Sequence, residues 1–215
     1  VRHPLDLGSA GAIDLRLAGR SAIFMVVAKL ILVKHAAPQI APDVPSPRWV
    51  LSAEGRRRCD WLASQLREQG VRRLYSSLEP KALETAALVA VQLGLAVRPR
   101  QDLHENDRMG LGFVSADEMR RRIRRFFEAP SAVAMGAETA DAAASRFEGA
   151  IRALVSEAPE EAAAVVTHGT VLTTLIARYD RLDAFAFWAS LSLPACVVMD
   201  GASFRLEGPV LNYPG

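Results

Sequence analysis

Two aliphatic runs of strand length, Val26–Val33 and Ala162–Val166, show no alternation of polar and apolar residues, and each reaches a histidine after one polar residue. A strand that is apolar on successive positions must be buried on both faces, which points to a sheet covered on both sides. Lys34 then His35 follow the first run, and Thr167 then His168 follow the second. In a covered, mostly parallel sheet, ligands bind beyond the carboxyl ends of the strands, so both histidines are expected at the ligand end.

The segments between the runs read as helices and short strands in alternation. Ser52 precedes a stretch with Cys59, Leu62, Ala63 and Leu66 at helical spacing, and Gly70 closes it. Val71–Tyr75 reads as a strand, Pro80–Leu93 as a helix stopped by Gly94, and Ala96–Arg98 as a brief strand. Ser115 and Glu118 form a capping-box pattern ahead of Met119, Ile123, Phe126 and Phe127. The arginines of Arg120–Arg125 read as a solvated face. Glu138–Val155 and Thr170–Tyr179 are helical, and Ala195–Met199 and Ser203–Glu207 are expected to pair through an Asp200-Gly201 turn. The expected fold is α/β: a three-layer α/β/α sandwich with a mostly parallel central sheet and a terminal antiparallel hairpin.

Of the 215 residues, half are hydrophobic and 23% charged, the composition of an ordinary folded chain. Residues 1–24, in which polar and apolar residues are mixed with no sustained period, read as a loosely packed N-terminal extension, and 25–215 as the domain. Twenty-six basic residues are offset by 24 acidic ones, which argues against a nucleic-acid partner. The run up to Val33 is too short to span a membrane and lacks a signal-peptide cleavage pattern. Cys59 and Cys196, the only cysteines, have core spacing and make neither a disulfide framework nor a metal site, so a cytoplasmic setting is expected.

Six stretches carry a resemblance. Ile31–Pro38 (ILVKHAAP), Leu51–Gly55 (LSAEG), Tyr75–Ala86 (YSSLEPKALETA), Leu103–Arg108 (LHENDR), Gly136–Thr139 (GAET) and Val165–Gly169 (VVTHG) occur in the order found in the histidine phosphatase superfamily, which includes phosphoglycerate mutases. The resemblance implies a phosphoglycerate mutase-like fold with His35 as the nucleophile, His168 as the second pocket histidine and Glu105 as the proton donor. His104 and Asp107 compete with Glu105 for that role. Lys34 and Lys81 stand where the family has two arginines, which keeps the charge and loses the planar fork that grips two phosphate oxygens. Glu79 is close enough in sequence to neutralise Lys81 in part.

Phosphoryl transfer needs fixed positive groups around the equatorial oxygens, and Lys34, Lys81 and a protonated His168 would supply them. Ser77, the peptide groups of Gly169 and Thr170 at a helix start, and Arg108 are further phosphate-binding candidates. A carboxyl group whose pKa is raised by burial could protonate the leaving alcohol and later deprotonate water, and Glu105 fits this. Of the tryptophans, only Trp49 in the proline-rich loop Pro38–Pro47 reads as a specificity residue. No cofactor and no metal are expected, and Asp102, His104 and Asp107 form the one weak metal candidate. The expected function is metal-independent hydrolysis of a small phosphorylated molecule through a phosphohistidine, by a monomer or homodimer. A phosphoglycerate mutase-type phosphotransferase and a non-catalytic module that binds phosphorylated ligands are the alternatives.

Overall fold

Strand residues point alternately to opposite faces of a sheet, and this period divides the first apolar run between two cores. Leu30 and Leu32 join one buried cluster and Ile31 and Val33 the other. The computed structural model describes residues 29–108 and 110–215. The expected extension over 1–24 and the start of the run at Val26 lie outside the described residues. In chain order the elements are β1 (Lys29–Lys34), α1 (Ala53–Glu68), β2 (Arg73–Ser77), α2 (Pro80–Leu93), β3 (Val97–Arg100) and α3 (Ala116–Glu128). They continue with α4 (Ala140–Glu157), β4 (Ala163–Thr167), α5 (Gly169–Tyr179), α6 (Ala184–Ser190), β5 (Ala195–Asp200) and β6 (Leu211–Asn212).

The strands form one sheet in the order β3-β2-β4-β1-β5-β6. The first four are mutually parallel, and β5 and β6 add antiparallel pairings at one side. Helices α1 and α2 cover one face, with Cys59, Leu62, Leu66, Ala86 and Val89 against Ile31, Val33 and Val166. Helices α4 and α5 cover the other, with Phe147, Ile151, Leu172 and Leu175 against Leu30, Leu32 and Val165. The result is the three-layer α/β/α sandwich the sequence predicts. Both cysteines are buried and unpaired, and burial pushes each thiol up to about 12. Among the described residues no helix is long and apolar enough to cross a membrane.

Caps hold where the sequence places them. The Ser52 hydroxyl accepts the Gly55 N–H at 2.9 Å, and Ser115 accepts the Glu118 N–H at 3.3 Å. The box at Ser115 is only half formed, because the Glu118 carboxylate turns to Arg121 and Arg122.

Two elements differ from expectation. The hairpin partner Ser203–Glu207 makes a single bridge, Met199 to Leu206, and the edge strand is Leu211–Asn212 instead. The reason is the Asp200 side chain: its carboxylate accepts the Ala202 and Ser203 N–H groups and the Ser203 hydroxyl. That folds a wider turn, closed by Phe204 at φ 55°. Helix α6 has no counterpart in the sequence expectation. Its seven residues are too few to show a period, and it is started by Asp183 accepting the Ala186 N–H at 2.9 Å.

Candidate active site

Strands β1 and β4 are adjacent, parallel and in register, with Lys34 opposite Thr167. The next residue on each strand is a histidine, so the pairing places His35 beside His168 with ring centroids 5.2 Å apart. The His35 N–H donates to Thr167 O at 3.0 Å and fixes the strand end. A cleft of about 380 Å³ opens there, within the range of small-molecule sites. Lys34, His35, Lys81, Glu105, Arg108, His168 and Gly169 line it.

His35 Nδ1 is 2.7 Å from the Ala36 carbonyl oxygen, which can only accept, so Nδ1 carries the proton and Nε2 keeps its lone pair. The Thr85 hydroxyl in turn accepts the Ala36 N–H at 3.1 Å and donates to Lys81 O at 2.7 Å, so α2 holds the residue that orients the His35 ring. Burial, with His168 and Lys81 adding to it, pushes the His35 imidazole well below its ordinary pKa. His168 is fully buried, its Nε2 2.9 Å from the Ser77 hydroxyl. Burial and then Lys81 push it well down too, against an opposing pull from Glu105. The sequence expectation of a protonated His168 is therefore corrected: a buried ring beside an ammonium stays neutral.

Lys34 lays its stem against Gly169, where an added Cβ would meet Lys34 Cε at 3.1 Å. Its ammonium donates to Leu191 O at 2.9 Å, and desolvation lowers its pKa to about 8. Lys81, also buried, donates to Ser46 O at 2.9 Å and is ion-paired with Glu79. Glu79 is thus part of the site. Its other oxygen accepts the Glu105 N–H at 2.9 Å and lies 3.4 Å from His168 Nε2.

Of the three candidate proton donors only Glu105 lines the cleft. His104 turns to Arg146, and the Asp107 backbone is held by Glu138 and Ala137. The GAET motif acts on this loop: an added Cβ at Gly136, φ +71°, would stand 1.6 Å from Asp107 O. Arg146 donates to Glu138 and to the carbonyls of Asp102, His104 and Glu105. Nothing in the local sequence marks that role.

The Glu105 carboxylate accepts the Thr170 and Val171 N–H groups at 3.2 and 3.0 Å and an Arg108 N–H at 3.2 Å. Two expectations change here. Of the two peptide groups expected to face phosphate, that of Thr170 donates instead to Glu105, as does that of Val171, because a helix N-terminus holds any nearby anion. Burial does raise the Glu105 pKa, but Arg108, His168 and the Asn106 N–H outweigh it, and the carboxyl ends below its ordinary value. Arg108 bridges Glu105 and the Thr170 hydroxyl. Two buried nitrogens, Asn106 Nδ2 and His168 Nδ1, have no hydrogen-bond partner among the described residues.

The outer cleft holds residues the sequence did not single out. Met119 and Ile123 of α3 and Trp188 of α6 line it together with Trp49, whereas Trp61 packs on the core and against Tyr213. Among the described residues no three His, Cys, Asp or Glu side chains gather as metal ligands.

Comparison with known proteins bears on the family and the fold. The sequence profile of the histidine phosphatase superfamily (branch 1) matches residues 31–202. Phosphoglycerate mutase-like protein 4 of Arabidopsis thaliana is 29% identical over 136 residues, which span 60% of this chain and 59% of that protein. A mycobacterial glucosyl-3-phosphoglycerate phosphatase structure, 18% identical, covers 87% of this chain and 100% of its own with a TM-score of 0.70. YhfR of Bacillus stearothermophilus, 21% identical, covers 87% and 98% with a TM-score of 0.70. A phosphoserine phosphatase of Entamoeba histolytica, 16% identical, covers 80% and 89% with a TM-score of 0.64. At these identities the solved structures speak for the fold.

Proposed function

The chain belongs to the histidine phosphatase superfamily, and from that premise we propose that it hydrolyses a small phosphomonoester through a phosphohistidine on His35, without a metal. The observation that carries this reading is the neutral, tautomer-fixed His35 at a strand end, within one cleft with His168, Lys34 and Lys81. A lone pair on Nε2 is what attack on phosphorus requires. Lys34, Lys81 and Arg108 are the cations available to the phosphoryl oxygens.

The low pKa of Glu105 shapes the proton path. Attack by His35 breaks the P–O bond to the alcohol, and that oxygen must gain a proton as it leaves. A carboxylate held ionised by Arg108 and two helix amides has none to give until substrate arrives. A phosphate ester has a second pKa near 6, so its monoanion delivers the proton and Glu105 relays it to the alcohol. Water then attacks the phosphohistidine, the P–N bond to His35 breaks, and Glu105 takes the water proton and passes it to the departing phosphate, which returns the carboxylate to its ionised state.

A second reading, a module that binds phosphorylated ligands without turnover, is favoured by the engagement of Lys81 with Glu79 and Ser46 O. The decisive test follows phosphate release from an aryl phosphate and a panel of sugar and nucleotide phosphates, with chelator present. We expect release by the wild type and a loss of at least about a thousandfold in His35→Ala. An acid-labile, alkali-stable phosphoryl label should be trapped on the wild type alone. Transfer to a second alcohol in place of water would identify a phosphotransferase, and binding without release would identify the module.

A further inference from the structure

The polar groups of the cleft are crowded at its inner end. Lys34, His35, Glu79, Lys81, Glu105, Asn106, Arg108 and His168 surround the place assigned to phosphate. Beyond them the walls change character. Pro38, Ile40, Pro47 and Trp49 of the proline-rich loop form one side, and Met119, Ile123, Trp188 and Leu193 the other. Among the described residues the one polar residue in that outer part is Ser46, and its carbonyl is engaged by Lys81.

We infer that the substrate is a phosphomonoester of an apolar alcohol, aryl or alkyl, whose hydrocarbon part lies between the proline-rich loop and helices α3 and α6. This rests on the hydrolase reading for the phosphate end and goes beyond it for the alcohol. Ile40 is 63% exposed at the rim. Single exposed aliphatics need no explanation, but a contiguous apolar surface continuous with a charged pocket marks a ligand site. The polar handle of Trp49 is already engaged, since its Nε1 donates to Ala41 O and Val44 O at 3.1 and 2.8 Å. That leaves an apolar ring for the cleft.

Trp188 is held from behind. Phe185 stacks on it, and Arg120 lies over both rings. Arg120 and Arg124 pack on the Phe185 ring, and Arg58 donates to the Leu193 carbonyl at 2.9 Å; none of the three lines the cleft. Sugar hydroxyls entering between these walls would lose water without replacement, which sets polar alcohols at a disadvantage beside apolar ones of the same size.

The test is kcat/KM for methyl, butyl and octyl phosphate below micelle-forming concentration, for 1-naphthyl phosphate, and for glycerol 3-phosphate and phosphoserine. Each buried methylene should raise kcat/KM by about fourfold, about 0.8 kcal/mol, until the cleft is filled. In the double variant Ile40→Ser/Met119→Gln the octyl-to-methyl ratio should fall by about tenfold or more. A flat series, or a preference for glycerol 3-phosphate or phosphoserine, overturns the inference while the hydrolase reading stands. If no compound is hydrolysed, it is the hydrolase reading that falls, and calorimetric titration with octyl and methyl phosphonate decides the inference. Tighter binding of the octyl compound, reduced in the double variant, supports it; equal affinity or no binding overturns it.

Discussion

Replacing an arginine by a lysine in a desolvated pocket makes the clamp titratable. Arginine stays charged in proteins, whereas burial brings Lys34 to about 8, with Glu105 opposing and Arg108 adding to the shift. The sign follows directly: below pH 8 the ammonium is present to meet phosphate, and above it the charge is lost. We expect kcat/KM to fall on the alkaline side with a midpoint near 8. Lys34→Arg should carry that limb beyond pH 10, as a guanidinium pKa above 12 requires. A profile from pH 6 to 10 checks this, and an alkaline limb identical in the two proteins would sink the assignment. At this scale the sequence reveals whatever a short motif encodes: His35, Lys34, His168, Lys81 and the Glu79 beside it. It hides what depends on residues brought in from afar. The ionised state of Glu105 needs Arg108 and the start of α5 around it. The buttress Arg146 and the cleft wall Trp188 reach their places only through tertiary packing.

The elements are held against the site by close backbone approaches. An added Cβ at Gly55, in the first turn of α1, would stand 2.1 Å from Ala37 O, the oxygen that also accepts the Ser52 N–H and hydroxyl. Gly55→Ala should therefore cost about 1–3 kcal/mol by overpacking. For a chain of this size that lowers Tm by roughly 2–12 °C, with kcat/KM falling as well, because Ala37 lies two residues after His35. Gly149→Ala is the control. It sits exposed within α4 with nothing near its Cβ position, so it should raise stability by about 0.4–1 kcal/mol. Thermal melts of both variants decide; equal shifts would show that Gly55 has no special contact. Helices α1 and α2 are legible because Ser52, Pro80 and Gly94 are local signals that act where they stand. The terminal hairpin is not, since Asp200-Gly201 looks like a tight turn until the Asp200 carboxylate gathers the N–H groups after it.

The sheet separates two apolar clusters, one on each face, and the site lies at the sheet's end between them, while a third cluster, of Ile123, Phe126, Met135, Ala140 and Ala143, packs α3 against the start of α4. Phe147 of α4 is fully buried in one cluster and does not line the cleft. Phe147→Ala should cost about 3–5 kcal/mol, read by urea unfolding, while KM of the protein that remains folded stays within about twofold, because distant sites act independently. A large change in KM would mean that the core behind α5 sets the geometry of the histidines. The layered architecture is legible because two apolar strands and the helices between them leave few other arrangements. The sheet order is not, because it depends on where the chain returns after β3, and that return inserts β4 beside β1. Both lysines of the clamp already hold a backbone oxygen, Leu191 O for Lys34 and Ser46 O for Lys81. If these two lysines bind the phosphoryl group as proposed, an arriving anion must displace these internal acceptors and a departing one returns each ammonium to its carbonyl. On the proposed reading release is an exchange of partners, and inorganic phosphate is expected to be a weak inhibitor of the hydrolysis.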